Sequence, residues 1–522
     1  MKKVLPINDK PTLRSLTPHL NICSICESYI TEGEPVADLD VLSCDDMKDW
    51  VISSLSLCLQ VNKNNIRAFC DKYDKNMECV LYKECKLGEE LIIRINSQAY
   101  AYACSNISIT IGSKPVTLKR KHKTGIELGN FSKGGVFTYR DDNYLSVKEN
   151  VKNGYPIYLR IQSDVEKVCV STSIDGKVWK IQNEYYECID TKDILYMSIF
   201  VGIDENQWYN WYFTNYILLK CAPDSSGVHM DHFNALSKNF KYHNLNMFLD
   251  YSKIDKDIVL GSFGDISNFI RTFIDKDYYI ELFLNERYIS GRLSNKAGYN
   301  RNHSNLVYGY DDFSESFMIM GLDEYGQAFN IKVKYNEFEE SFKNAYGNDE
   351  IVVEKYNPDT NMFKLNIDIM KKYLEDYLNG YNSTRECGFL VQPTDEVFGM
   401  KIYDTYLSER YFSVFLSDRR ISYVLYEHHV IMNERIDFLL KRGVLSDARA
   451  HELKICTGEM VNISHKIVLL VVKWIMKNEF KDRCKLSEIE VKIHTLLSEL
   501  KGKEKKFIIQ LLEFFEEYLK ET

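Results

Sequence analysis

Proline and glycine nearly vanish from the end of the chain: no proline follows Pro393, and only four glycines do. That excludes a turn-rich β architecture there and leaves helices as the expected structure. The chain opens on two lysines, "MKKVLPINDKP", without an apolar segment behind them, so no export signal is expected. The longest apolar run, "IVLLVVKWIM" (467–476), is broken by Lys473 and has half the length of a bilayer crossing, so no membrane span is expected. Positive charge is not in excess. Net charge is −9, with both signs interspersed, which argues against a broad nucleic-acid or anionic-membrane surface. The local cluster "TLKRKHK" (117–123) reads as a solvated loop between strands that could steer an acidic partner. Paired metal motifs are missing too. Cys23 and Cys26 form a single C-x-x-C, with no second pair at finger spacing. With no export signal, the fourteen cysteines read as reduced thiols of a cytoplasmic protein. No cofactor or metal is expected.

What the chain does have is length and aromatic side chains. Its 522 residues exceed one hydrophobic core, and 36 Tyr with 27 Phe and 5 Trp suit sheets first and ring-stacking surfaces second. The expected class is multidomain α+β. Residues 1–75 form a mixed segment in which "WVISSLSLCLQV" (50–61) reads as a strand, weakly echoed by "WYFTNYILLKC" (211–221). Over 76–221, short β-branched and aromatic runs alternate with Gly, Asn, Asp and Ser, and "SIDGKVW" marks a hairpin at Asp175-Gly176; together they predict a β sandwich or jelly roll. Residues 222–385 mix helix-like stretches ("HMDHFNALSKNF", "DISNFIRTFIDK", "NEFEESFKNAYG") with a strand meander. Over 386–522 the helical period takes over. In "LSEIEVKIHTLLSEL", Ile489, Ile493, Leu496, Leu497 and Leu500 make one apolar stripe, and Ser487 and Glu490 stand at capping-box spacing, so a helical bundle is expected.

In "NHSNLVYGYDDFSESFMIMGLDEYG" a polar turn separates two apolar runs. If the hairpin centres near Phe313, residues whose numbers sum to 626 face each other: Asn305 meets Gly321, Val307 meets Ile319, and His303 meets Asp323. A carboxylate there would hold the imidazole as a base for a thiol or hydroxyl; a one-residue slip would put the two on opposite faces.

"GGVFTYRDDNYLSVK", "VSTSIDGKVWK" and "IFVGIDENQWYNWYFTNYILL" resemble the concanavalin-like jelly rolls found beside glycosidases and in lectin-like domains. No E-x-D-x-x-E arrangement accompanies them, so glycoside hydrolysis is not expected. "YYIELFLNERYI" with the His303 hairpin resembles the papain-like domain of the butirosin biosynthesis protein H family and its relatives near the C39-type peptidases. The resemblance covers about 222–345. It implies a His and an acid, matched by His303 and Asp323, serving an upstream cysteine in acyl transfer from a carrier-protein thioester or in peptide cleavage. The cysteine is where the pattern departs, for none lies between Cys221 and Cys387. Cys221 closes "YILLKC" and reads as a strand end; Ser225 and Ser226 read equally as helix caps. Cys23 and Cys26 would qualify only if the jelly roll were inserted into the papain-like fold.

Two histidine clusters remain. "EHHVIMNER" carries Glu427, His428, His429 and Glu434 without zincin spacing and reads as a surface or interhelical polar cluster; His229 and His232 beside Asp231 lack a third ligand. Three readings stay open: a natural-product tailoring protein transferring acyl or peptidyl groups through His303, Asp323 and Cys221, with a carrier protein or peptide as partner; a non-catalytic scaffold; or a carbohydrate binder using jelly-roll aromatics such as Trp208 and Trp211.

Overall fold

The computed structural model describes residues 1–13, 17–28, 37–55, 57–70, 77–96, 105–115, 124–129, 135–140, 143–147, 157–186, 194–203, 207–222, 230–233, 248–322, 328–347, 350–357, 363–386, 395–479 and 483–522. Contacts divide the chain into two units. One comprises Tyr29–Tyr209 with Pro358–Met362, and the other Met1–Ser28, Asn210–Asn357 and Phe363–Thr522. The first is thus an insertion within the second, which differs from a linear order of domains.

The inserted unit follows β1 (Lys2–Val4) and α1 (Thr17–Ser28). Its strands are β2 (Ala37–Val41), β3 (Val51–Leu55), β4 (Leu57–Asn62), β5 (Asn65–Cys70), β6 (Met77–Cys85), β7 (Glu90–Ile95), β8 (Ser105–Gly112), β9 (Thr124–Gly129), β10 (Gly135–Arg140) and β11 (Asn143–Val147). They continue with β12 (Ile157–Ser163), β13 (Lys167–Ser173), β14 (Lys180–Tyr186) and β15 (Leu195–Ile203). Two antiparallel sheets result, in the orders β11-β10-β9-β8-β15-β6-β3 and β14-β13-β12-β7-β2-β5-β4. Leu39, Ile66, Ile93 and Ile161 of one sheet share a core with Leu81, Ile109, Ile199 and Val201 of the other. This is the expected sandwich, and it begins earlier than residue 76, because β2–β5 supply strands to both sheets. The β13–β14 turn places Gly176 at φ +73°, and the Asp175 carboxylate accepts from the Lys177 and Val178 amides.

In the α+β unit the chain resumes as α2 (Gln207–Asn215), β16 (Leu218–Cys221) and β17 (Met230–Phe233). The stretch "WYFTNYILLKC" is therefore a helix followed by a short strand, not one strand. Trp211, Tyr212, Phe213 and Tyr216 are all buried, and burial on every side overrides the β propensity of such residues. Of "HMDHFNALSKNF", the described part is strand β17 rather than helix. Next come β18 (Leu249–Asp255), α3 (Lys256–Phe263), α4 (Ile266–Ile274), β19 (Tyr279–Asn285), α5 (Leu293–Ala297), β20 (Asn302–Asp311), β21 (Ser316–Leu322), β22 (Ala328–Lys334), α6 (Tyr335–Lys343) and β23 (Glu350–Tyr356). The sheet runs β18-β23-β19-β20-β21-β22, and β1 pairs with β20 through Val4 opposite Gly309. Helices α4 and α6 are those expected from "DISNFIRTFIDK" and "NEFEESFKNAYG".

The remainder is helical: α7 (Ile367–Asn379), then β24 (Val397–Phe398), α8 (Lys401–Leu407), α9 (Glu409–Ser417), α10 (Arg419–Lys441), α11 (Asp447–Glu479) and α12 (Arg483–Glu521). Ile489, Ile493, Leu497 and Leu500 are buried as their spacing predicts. Ser487 and Glu490, however, lie inside α12 and cap nothing; the Glu490 carboxylate instead accepts from the Trp474 indole at 2.9 Å. By length and composition α11 could cross a membrane, and in the fold it packs between α10 and α12.

Candidate functional site

The hairpin of β20 and β21 has the predicted register where it is paired: Leu306 faces Met320 and Val307 faces Ile319. A bulge at Tyr308 then shifts the pairing, so that Gly309 faces Met318. Asp323 lies outside the described residues. On its other side β20 pairs with β19, and His303 sits opposite Leu284. The His303 ring donates from Nδ1 to the Ser304 carbonyl at 2.9 Å, which leaves Nε2 with the lone pair of the neutral ring. Among the described residues the acid beside it is Glu286, 4.0 Å from Nδ1 and almost fully buried. Arg301 lies 3.5 Å and Arg292 3.8 Å from the same carboxylate, and Arg292 also donates to Asn305 Oδ1 at 3.0 Å. Gly321 makes room for this pair, since a Cβ there would stand 2.5 Å from Asn305 Oδ1. Glu286 and Arg292 carry no local sequence signal, because the three-residue helix Glu286–Tyr288 and α5 bring them to β20 from outside its register.

Among the described residues no cysteine thiol or serine hydroxyl is hydrogen-bonded to the His303 ring. Ser304 spends its hydroxyl on Glu281 at 2.6 Å. Cys221 is buried in β16, between β17 and β24, and burial raises its thiol to about 12. It is a buried cysteine at the end of a strand. Ser225 and Ser226 lie outside the described residues. The insertion brings α1 into the same unit as His303, yet Cys23 and Cys26 are fully buried on that helix. Burial, then Glu27 and Cys26, push the Cys23 thiol well up, and Glu427 of α10 adds a smaller rise.

Burial is also the first cause that pulls the His303 imidazole below its ordinary value; Arg301 and Arg292 add to it, against Glu286 and the Ser304 carbonyl. The unfolded chain takes up this proton before the folded one does, so stability falls as pH drops below the ordinary imidazole range. We expect ¹⁵N spectra at pH about 6.5, where a free imidazole is half charged, to show His303 neutral and Nδ1-protonated. An imidazolium pattern there would contradict this environment.

The histidine clusters come together in the helical region. His232 of β17 places Nε2 3.9 Å from Glu427, and Glu427, His428 and His429 are all buried, so "EHHVIMNER" is interhelical and not a surface cluster. Its partner is Glu504 of α12. One oxygen accepts from Tyr377 at 2.8 Å and lies 2.7 Å from His428 Nε2; the other accepts from Tyr403 and lies 3.4 Å from His429 Nε2. Spacing could not reveal this, since the acid lies on another helix. His229 lies outside the described residues.

On the sandwich, the face of the second sheet opposite its core carries one polar row across five strands. Ser173, Tyr158, Arg94, Asp40 and Asn65 are successive cross-strand neighbours on β13, β12, β7, β2 and β5. Arg94 Nε donates to Asp40 at 2.9 Å, and the Asn65 amide bridges Asp40 and Asp38 at 2.9 and 2.8 Å. Trp179 stands edge-on to Tyr158, with the Arg160 guanidinium over it at 4.4 Å. Burial would raise the Asp40 carboxyl, but hydrogen bonds from Asn65 and Arg94 together with the guanidinium charge hold it below its usual range. Trp208 and Trp211, by contrast, are buried on α2 and present no ring to a sugar.

No family model matches the chain, and no curated protein matches it. Among solved structures it is similar to the VIP36 exoplasmic/lumenal domain in a Ca²⁺/Man3GlcNAc-bound form, with 11% identity over 30% of this chain and 77% of that one, at TM-score 0.20. A glycosyl hydrolase family protein from Mycobacterium fortuitum matches at 10% identity over 33% and 86%, TM-score 0.20. A glycosyl hydrolase family 16 protein from Mycobacterium smegmatis matches at 12% over 30% and 66%, TM-score 0.19. The sandwich itself follows from the strand orders and shared core, independently of these matches.

Proposed function

We propose that the chain is a non-catalytic binding protein whose sandwich takes a carbohydrate on the face of Tyr158, Trp179, Arg94, Asp40 and Asn65, with the α+β unit as scaffold. The observation that carries this reading is the single cross-strand row of planar and charged groups beside two half-buried aromatic rings. Carbohydrates present apolar C–H faces and vicinal hydroxyls. An aromatic ring covers the first, while carboxylates, amides and guanidinium groups set at strand spacing serve the second.

Binding rather than hydrolysis follows from charge. A general acid must hold a proton near neutral pH, whereas the Asp40 carboxyl is held ionised by Arg94 and Asn65. The loss of catalysis extends to the His303 region, where the neutral imidazole has no activated thiol hydrogen-bonded to it among the described residues. This reading leaves acyl or peptidyl transfer from a carrier protein without a role.

The test is a glycan array and calorimetry on the full chain. Wild type should bind at least one neutral glycan, and Trp179→Ala should weaken that binding about tenfold, equivalent to ~1.4 kcal/mol. The double variant Trp179→Ala/Asp40→Asn should abolish it. Absence of binding across the array, undiminished binding by the double variant, or release of reducing ends from the bound glycan would overturn the proposal.

A further inference from the structure

Glu504 is fully buried and receives two phenolic donors, Tyr377 and Tyr403. An ionised carboxylate in such a place needs a compensating positive charge, because neutral donors alone leave a bare charge in the core. The two histidines next to it differ in how they meet that need. His429 gives its Nδ1 proton to the Leu425 carbonyl at 2.7 Å, since only a donor can face a carbonyl oxygen. Its Nε2 then faces Glu504 Oε2 at 3.4 Å and the Tyr403 hydroxyl at 3.5 Å, and against the carboxylate it must carry either a second proton or a metal cation. A backbone carbonyl on the far nitrogen is also the usual arrangement of a metal-bound imidazole, fixing ring and tautomer. His428 is held flat by stacking on Tyr377, at 5.2 Å and 18° between planes.

We propose that His428 Nε2, His429 Nε2 and a Glu504 oxygen hold a divalent transition-metal ion of the zinc class. The three ligand atoms lie within 4.8 Å of one another. Tetrahedral zinc with N and O ligands sets them about 3.3 Å apart, and the separations of His428 Nε2 from Oε1 (2.7 Å) and of His429 Nε2 from Oε2 (3.4 Å) lie on either side of that distance. On binding, neutral His428 carries its proton on Nδ1 in place of Nε2, so the ring changes tautomer without changing charge. Two imidazoles and a carboxylate suit zinc better than calcium or magnesium, which take oxygen ligands. All three ligands are buried, so the ion enters as the chain folds and joins α10 to α12.

Elemental analysis of the full chain, purified without a metal-affinity step, should find about one zinc-class ion per chain in wild type and in His451→Ala, an exposed-histidine control, but less than ~0.1 in His429→Ala and Glu504→Gln. Because those variants could misfold, wild type is also unfolded, stripped of metal and refolded with Co²⁺; the visible bands of tetrahedral cobalt with nitrogen ligands are expected, and refolding with Zn²⁺ should raise Tm. The proposal fails if wild type refolded in turn with Zn²⁺, Co²⁺, Mn²⁺ and Fe²⁺ retains less than ~0.1 ion per chain after desalting with Tm unmoved. It fails equally if His429→Ala keeps the wild-type metal content.

Discussion

Replacing Arg435 by methionine is expected to lower the melting temperature of the full chain by roughly 3–7 °C, a loss of about 2–5 kcal/mol. Arg435 of α10 is fully buried, and its guanidinium donates to the Phe213 carbonyl at 2.8 Å and the Tyr216 carbonyl at 2.9 Å. These carbonyls close α2 and open the segment leading to β16, so one side chain fastens the end of α2 to the helical region. Burial lowers the guanidinium to about 10, which still leaves it charged at neutral pH. Methionine fills much of the volume but donates nothing, and two buried acceptors are left orphaned at about 1–3 kcal/mol each. Relief from burying the charge offsets part of that, which sets the lower bound. Lys454→Met, which breaks a partly exposed pair with Asp437, should cost less than about 1 kcal/mol. Differential scanning calorimetry compares the two; equal Tm values for Arg435→Met and Lys454→Met would refute the role given to Arg435.

Arg435 also shows where sequence reasoning reaches and where it stops. Local periodicity revealed the α12 stripe of Ile489, Ile493, Leu497 and Leu500, and turn chemistry revealed the hairpin at Asp175-Gly176, because neighbours in sequence decide both. Register arithmetic reached Val307 opposite Ile319 for the same reason, and the bulge at Tyr308 limited it. The insertion left no such trace. It rests on Lys2–Val4 pairing with Gly309–Asp311, a contact spanning some three hundred residues with no pattern of its own. Likewise "WYFTNY" has the composition of a strand, and only burial from all sides makes it helix. The His428–His429 pair was visible as a motif, but its meaning waits on Glu504 of another helix. Residues that act through distant partners are unreadable from spacing alone.

Gly399→Ala is the other change with a large expected cost. Gly399 follows β24 at φ +56°, where a side chain costs about 1–2 kcal/mol. A Cβ there would stand 2.1 Å from the Tyr377 carbonyl oxygen, and backbone cannot turn aside as a flexible side chain can. Two hydrogen bonds fix the approach: the Gly399 amide donates to the Leu219 carbonyl and the Met400 amide to the Tyr377 carbonyl, both at 2.8 Å. Relieving the clash must move β24 off β16 or displace the end of α7. Strain and overpacking together give about 3–5 kcal/mol, a fall in Tm of roughly 4–7 °C. Gly458 makes the opposite case inside α11, where a Cβ meets nothing within 4 Å; Gly458→Ala should stabilise by about 0.5–1 kcal/mol. Denaturant titration of both variants decides the matter, and a Gly399→Ala protein within about 1 kcal/mol of wild type would show that this contact relaxes freely. The displacement would also be felt at Glu504, because the residue whose carbonyl meets the new methyl is the one whose hydroxyl donates to that carboxylate.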